Sequence, residues 1–206
     1  MAIELYSWPR SSGTRVAWAL EELGVPYKYV ELDPKKKEHL APAYLAVNPH
    51  GKVPALVDDG QRFFESGAIL LHLGDKYGVA AKLWPAPGGQ AHADALCWSV
   101  WAIGELQPYL MQVLYHGMDT PVSYRPGDRS KAAAGYCLSQ LRRQLDALEA
   151  RLQDRDHLLG AFSLADVAAG SVLALGKAFG LALEEHPRTA AWCQRCMDRP
   201  AFKRAR

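Results

Sequence analysis

The sequence predicts a two-part chain, an α/β first domain followed by an all-helical second domain. Three observations carry this. Short apolar runs alternate with helical stretches up to about residue 78. Asp58-Asp59-Gly60 separates two strand-like runs and reads as a hairpin turn. Beyond a stretch rich in Pro, Gly and Ala at 79–89, the strand pattern stops and apolar residues recur only at helical spacing.

Each element has its own local reason. Ile3–Tyr6 is a short strand, and the loop after it holds Pro9 and Gly13. Val16, Leu20 and Leu23 recur at helical spacing over Thr14–Leu23, and Gly24 stops that helix. Tyr27–Leu32 reads as a second strand, and Leu40–Val47 as a helix with Pro42 in its first turn. Val53–Val57 and Gln61–Phe64 form the hairpin, and a helix over Ser66–Lys76 ends at Gly78. The order βαβαββα is the thioredoxin arrangement. After the linker, His92–Met118 is one long helical stretch with a kink expected at Pro108. Leu138, Leu141, Leu145, Leu148 and Leu152 make Lys131–Gln153 amphipathic. The expected domains are thus 1–78, a linker at 79–89, and 90–206.

Composition narrows the function classes. With 49% hydrophobic and 22% charged residues among 206, the chain has enough apolar material for proper cores. A net charge of +2 gives no electrostatic footprint for nucleic acid, and Lys35-Lys36-Lys37 is balanced at once by Glu38. No run approaches the ~18 apolar residues of a membrane helix. Met1-Ala2-Ile3-Glu4-Leu5 lacks the charged start and apolar stretch of a secretory leader. A cytoplasmic, reducing setting is therefore expected, with Cys97, Cys137, Cys193 and Cys196 as free thiols. Cys193-x-x-Cys196 has redox-motif spacing but no strand before it. His72, His92, His157 and His186 show no ligand spacing, and no metal is expected.

Four local motifs carry a resemblance. They are Ser11-Ser12-Gly13-Thr14-Arg15-Val16, Asn48-Pro49-His50-Gly51-Lys52-Val53-Pro54, Glu65-Ser66-Gly67-Ala68-Ile69, and Ser163-Leu164-Ala165-Asp166. In this order, on these elements, the chain resembles the cytosolic glutathione transferase family, and serine-type bacterial-like members in particular. The resemblance implies glutathione as co-substrate. Val53, before a cis Pro54, would pair by its backbone with the cysteinyl part, as a strand edge holds a peptide. Glu65 and Ser66 would hold the γ-glutamyl end at a helix N-terminus, where free N–H groups and the dipole favour an anion. His39 and Lys52 are the candidates for the glycine carboxylate. Ser163 and Asp166 read as a capping box rather than a catalytic pair.

The chemistry requires the thiolate, because the thiolate is the nucleophile and a free thiol with pKa ~8.5 is mostly protonated at neutral pH. A hydroxyl aimed at the sulfur near a helix N-terminus favours the anion. Ser11 best matches the serine of serine-type classes when counted back from Arg15, Ser12 follows it, and Tyr6 is third. The loop has no cysteine, so exchange through a protein thiol is disfavoured. Trp8, Arg10, Met111 and Tyr115, with His116, are candidates for lining an electrophile pocket between the halves. The expected function is attack of glutathione on a small hydrophobic electrophile, by a homodimer. The alternatives are a non-catalytic binding relative and a glutathione-dependent isomerase, the latter weakened by Gly13 where zeta-class isomerases carry cysteine.

Overall fold

Strands β1 (Ile3–Ser7), β2 (Lys28–Glu31), β3 (Ala55–Asp58) and β4 (Gln61–Phe64) build one sheet of order β2-β1-β3-β4 in the computed structural model, which describes residues 3–205. β1 runs parallel to β2 and antiparallel to β3, and β3 and β4 form the hairpin. Successive side chains of a strand point to opposite faces. Ile3, Leu5 and Ser7 therefore share the buried face of β1, and Ser7 is fully enclosed although it is polar. Asp58 closes β3, so the two-residue turn is Asp59-Gly60, with φ 49° and 82°. Two successive positive φ values give a turn whose twist matches the flanking strands.

The chain up to His92, together with the segment from Asp198 onward, forms one compact unit. Helix α1 (Gly13–Leu23) buries Val16 to Leu20 without interruption and ends at Gly24, where φ is 64° and the N–H bonds to Leu20 O. Its Trp18 is 1% exposed and meets the edge of Phe202 at 4.9 Å. Phe202 lies on the short helix α9 (Pro200–Arg204), the ninth helix in chain order. Arg199, just before it, makes a bidentate pair with Glu22 at 2.6 and 2.7 Å. The last residues, which sequence spacing assigns to the helical part, thus pack on α1.

Two expected helices of this unit are divided. The stretch expected as one helix over 40–47 is a 3₁₀ turn (Glu38–Leu40) followed by α2 (Pro42–Leu45), with Ala41 extended at ψ 144°. Pro42 brings no N–H to a continuing ladder and pushes the residue before it out of the helical region. The helix expected over 66–76 is α3 (Ser66–Leu73), continued by a wider π turn over Gly74–Gly78. Trp84 sits on the glycine edge there. A Cβ at Gly74 or Gly78 would come within 2.7 or 2.6 Å of it.

The hairpin is braced from α3 and the turn after it. Asp58 is completely enclosed and accepts from His72 Nε2 at 2.7 Å, Lys76 Nζ at 2.8 Å and Tyr77 Oη at 2.8 Å. Burial alone raises its carboxyl, but these three bonds outweigh it and hold the group below the usual carboxylate value. His72 also stacks on Phe63 of β4 at 3.9 Å.

Ala93–Met197 forms the second compact unit. The long helical stretch expected over 92–118 is α4 (Gly89–Trp101), a π turn (Ala102–Leu106) and α5 (Gln107–Gly117). The irregular turn directly precedes Pro108, which brings no N–H to the continuing ladder and so loosens the helix at this point. α6 (Lys131–Arg151) begins at Ser130, whose Oγ accepts from Ala133 N–H at 3.1 Å. Leu141, Leu145 and Leu148 are its buried stripe, whereas Leu138 is 36% exposed. α7 (Leu164–Ala178) is buried almost all round, and α8 (Pro187–Asp198) carries Trp192, Cys193 and Cys196 inward.

Asp166 is the polar hub of this unit. The capping box with Ser163 forms, with Asp166 Oδ2 accepting from Ser163 N–H at 2.9 Å and Oγ at 3.0 Å. Its Oδ1 takes Leu158 N–H at 3.0 Å and Trp192 Nε1 at 2.8 Å. His157, Asp166 and Cys196 offer ligand atoms within 4.8 Å of one another. Both carboxylate oxygens are already filled by donors, which gives the trio a structural character. No helix among the described residues is long and apolar enough to cross a membrane.

Candidate active site

The loop Trp8–Ser12 joins β1 to α1, turning at Arg10 with φ 61°. Ser11 Oγ donates to Trp8 O at 2.8 Å and accepts from Gly13 N–H at 3.1 Å, while Ser7 Oγ lies 2.9 Å away. Ser12 occupies the N-cap position of α1, yet its hydroxyl turns off the helix and donates to Val53 O at 3.2 Å. The Val53–Pro54 peptide is cis. The loop before it is braced from within, because Lys52 O accepts from Asn48 Nδ2 at 2.6 Å and from Tyr44 Oη. Lys52 itself is exposed.

Ser66 opens α3 and is 6% exposed. Arg15, 4% exposed on α1, donates from Nη1 to Ser66 Oγ at 2.8 Å. Burial brings the Arg15 guanidinium down to about 10, which leaves it positive at neutral pH. A guanidinium only donates, so Ser66 Oγ accepts from Arg15 and its own proton cannot point at that partner. Glu65 precedes Ser66 with φ 65° and ψ 115° and its side chain does not cap the helix. Such a conformation costs a non-glycine residue about 1–3 kcal/mol and clusters at ligand sites. The first N–H groups of α3 have no helical acceptor, as at any helix start.

The first turn of α1 therefore reaches two distant motifs, Val53 through Ser12 and Ser66 through Arg15. Stretches about forty and fifty residues away in sequence are thus tied to Ser12 and Arg15, the near neighbours of Ser11. Tyr6 points elsewhere. Its phenol donates to Glu4 Oε2 at 2.8 Å, and burial followed by that bond raises it. His39 lies on the 3₁₀ turn against the edge of Trp8 at 5.4 Å, and its buried Nδ1 has no hydrogen-bond partner among the described residues. Trp8 in turn packs against the Leu32, Tyr44 and Ala55 cluster. An open hollow of about 440 Å³ lies beside Trp8 and Pro9, but Ser11, Val53 and Ser66 do not line it. Its acidic groups serve the turn, since Asp33 Oδ1 takes Lys35 N–H at 2.8 Å and Glu38 Oε2 takes Asp33 N–H at 2.7 Å.

Within the second unit, Met111 and Tyr115 lie on α5 and are half-buried. Tyr115 stacks on Tyr124 at 5.0 Å, and burial raises its phenol. His116 accepts Ser130 N–H on Nδ1 at 3.1 Å.

Residues 1–75 match the family model described as glutathione S-transferase, N-terminal domain, and residues 107–200 match the C-terminal domain model of the same family. Mouse glutathione S-transferase theta-1 is 34% identical over 199 residues, covering 95% of this chain and 82% of its own. The chain belongs to the glutathione S-transferase family. The disulfide-bond oxidoreductase YfcG of Escherichia coli is 30% identical, covering 98% of this chain and 94% of its own. Among solved structures, Ure2p in complex with glutathione superposes with a TM-score of 0.87 at 28% identity, covering 99% of this chain and 97% of that one. Family membership accounts for the fold, a thioredoxin-like sheet domain followed by helices.

Of the residues flanking this loop, Arg15 was given no role from the sequence, and Ser7 counted only as one of the hydroxyls near the end of the first strand. Arg15 stands in the apolar run of α1, and a charge on a buried helix face is the signal that points to it. Ser7 falls at i+2 from Leu5, which marks an inward position on β1.

Proposed function

We propose that the chain is a glutathione transferase in which the Ser11 hydroxyl stabilises the thiolate of bound glutathione and directs it at a small hydrophobic electrophile. The observation that carries this is that neighbours of Ser11 hold the other two motifs, Ser12 Oγ donating to Val53 O beside the cis Pro54 and Arg15 Nη1 donating to Ser66 Oγ. In this reading the Val53 backbone pairs with the cysteinyl peptide. Ser66 gives its proton to the γ-glutamyl carboxylate, with Arg15 and the α3 N-terminus adding positive potential. Glu65 takes the ammonium. His39 and Lys52 take the glycine carboxylate. Trp8 and Arg10 contribute to the electrophile side.

Ser11 is favoured over Ser12 because of where each proton is held. Ser11 donates to Trp8 O, a neutral bond worth about 1 kcal/mol net, and a bond to a charged sulfur is worth about 1.5–3 kcal/mol. Turning the hydroxyl from carbonyl to thiolate is therefore downhill. Ser12 holds Val53 O, part of the frame that orients the ligand. Tyr6 is tied to Glu4 and raised, which suits neither donation nor approach to the sulfur.

A disulfide oxidoreductase acting through a protein thiol is the less favoured reading despite the likeness to YfcG. The Trp8–Gly13 loop has no cysteine, Cys137, Cys193 and Cys196 are buried, with Cys193 pushed up to about 11 by burial, and the exposed Cys97 lies on α4, outside that loop. A cytoplasmic homodimer completes the proposal. Glutathione binding by calorimetry, alongside conjugation to an activated aryl halide, tests it. Micromolar to millimolar binding with turnover that falls at least tenfold in Ser11→Ala and little in Ser12→Ala is the expected result. Binding without turnover toward any electrophile points to the non-catalytic relative instead.

A further inference from the structure

We propose that Ser7 is a positioning residue for the Ser11 hydroxyl, a second serine behind the first that raises its power as a hydrogen-bond donor. This inference rests on the reading of Ser11 as the thiolate donor. Ser7 Oγ is 2.9 Å from Ser11 Oγ, and Ser7 is completely enclosed. The direction of the bond follows from the neighbours. Ser11 places its proton on Trp8 O at 2.8 Å, whereas Ser7 is 3.4 Å from that same carbonyl. The Ser7 proton is therefore best satisfied on Ser11 Oγ. Ser11 then accepts two bonds, from Gly13 N–H and from Ser7, and has one proton to give.

Gly13 makes the arrangement possible. A Cβ at position 13 would stand 1.8 Å from Ser7 Oγ and 2.7 Å from Ser7 Cβ. A side chain at 13 and a hydroxyl at 7 cannot coexist, so the two positions form one device. When Ser11 turns its proton toward a sulfur anion, it leaves Trp8 O but keeps both incoming bonds. Each bond in such a chain strengthens the next by roughly 10–30% in a site of low dielectric. Ser7 thus acts on the sulfur only through Ser11. The relay moves no proton off either serine in the resting complex; it changes how strongly the last proton is shared.

The test is the thiol pKa of bound glutathione, read from thiolate absorbance against pH in wild type, Ser7→Ala, Ser11→Ala and the double variant. The expected results are a rise of about half a unit in Ser7→Ala, a larger rise in Ser11→Ala, and no further rise when Ser7→Ala is added to Ser11→Ala. Glutathione affinity at acidic pH, where the bound sulfur is protonated, stays within twofold in Ser7→Ala. A Ser7→Ala complex with the wild-type thiol pKa overturns the proposal while leaving Ser11 in its role. Equal rises in both backgrounds also overturn it, because Ser7 would then act independently of Ser11. An unmoved thiol pKa in Ser11→Ala overturns the underlying reading itself. Should Ser7→Ala fold poorly, Ser7→Cys keeps an atom in place with a much weaker donor and is read by the same criteria.

Discussion

At the scale of single residues, the site depends on what each polar atom has left to offer once its local bonds are counted. Arg15 illustrates this. It is buried, it donates to Ser66 Oγ at 2.8 Å, and so it determines which way the Ser66 proton points. Arg15→Met keeps much of the side-chain volume and removes the charge. The account expects glutathione affinity to weaken by about tenfold or more, the worth of a hydrogen bond to a charged group, and titration calorimetry reads this directly. Unchanged affinity would mean that Arg15 serves packing alone. The motif around Arg15 was legible in the sequence, but its pairing with Ser66 was not, because a bond across fifty-one positions leaves no local pattern. Ser11 against Ser12 was open for the same reason. Both are serines in one loop, and their different acceptors, Trp8 O for Ser11 and the distant Val53 O for Ser12, leave no local pattern.

At the scale of elements, buried carboxylates hold strands and helices together within each unit. Asp58 joins β3 to α3 and the turn after it through three donors. Its folded pKa is lowered, so its contribution to stability is complete above the unfolded value of ~3.9 and is lost as pH falls through the lower folded value. Denaturant unfolding between pH 7 and 2 is expected to show wild type losing stability below about pH 4. Asp58→Asn should be less stable by about 3 kcal/mol at neutral pH and flatter over the acid range. Parallel curves for the two proteins would contradict this. Asp166 has four donors on its two oxygens. Asp166→Ala leaves buried N–H groups unpaired, and a loss of about 3–5 kcal/mol is expected in thermal or urea unfolding. The Ser163–Asp166 box was readable from its spacing, since a capping box is local. Trp192 and Leu158 as further partners of the same carboxylate were not. Helix positions were legible wherever apolar spacing set them, as in α1 and α6. The π turns at Gly74–Gly78 and Ala102–Leu106 escaped because they keep helical spacing while changing the hydrogen-bond ladder. At Gly74–Gly78 the cause is tertiary, the Trp84 side chain on two glycines.

At the scale of the whole molecule, the order of strands, the hairpin and the change to helices were all legible, because each rests on periodicity and turn residues. The segment from Asp198 onward was not, since its place on α1 comes from Phe202 on Trp18 and Arg199 on Glu22, contacts made across the length of the chain. Light scattering at micromolar concentration is expected to give twice the mass of one chain, and a single-chain mass would remove the homodimer from the proposal. The central claim is that Ser11 lowers the thiol pKa of bound glutathione, and the most direct measurement is the thiolate absorbance of the complex titrated from acid to alkaline pH. For wild type the account predicts a bound thiol pKa at least one unit below the free value of ~8.5, returning most of the way in Ser11→Ala with glutathione still bound. A wild-type complex that titrates like free glutathione, or a Ser11→Ala complex that titrates like wild type, would contradict it.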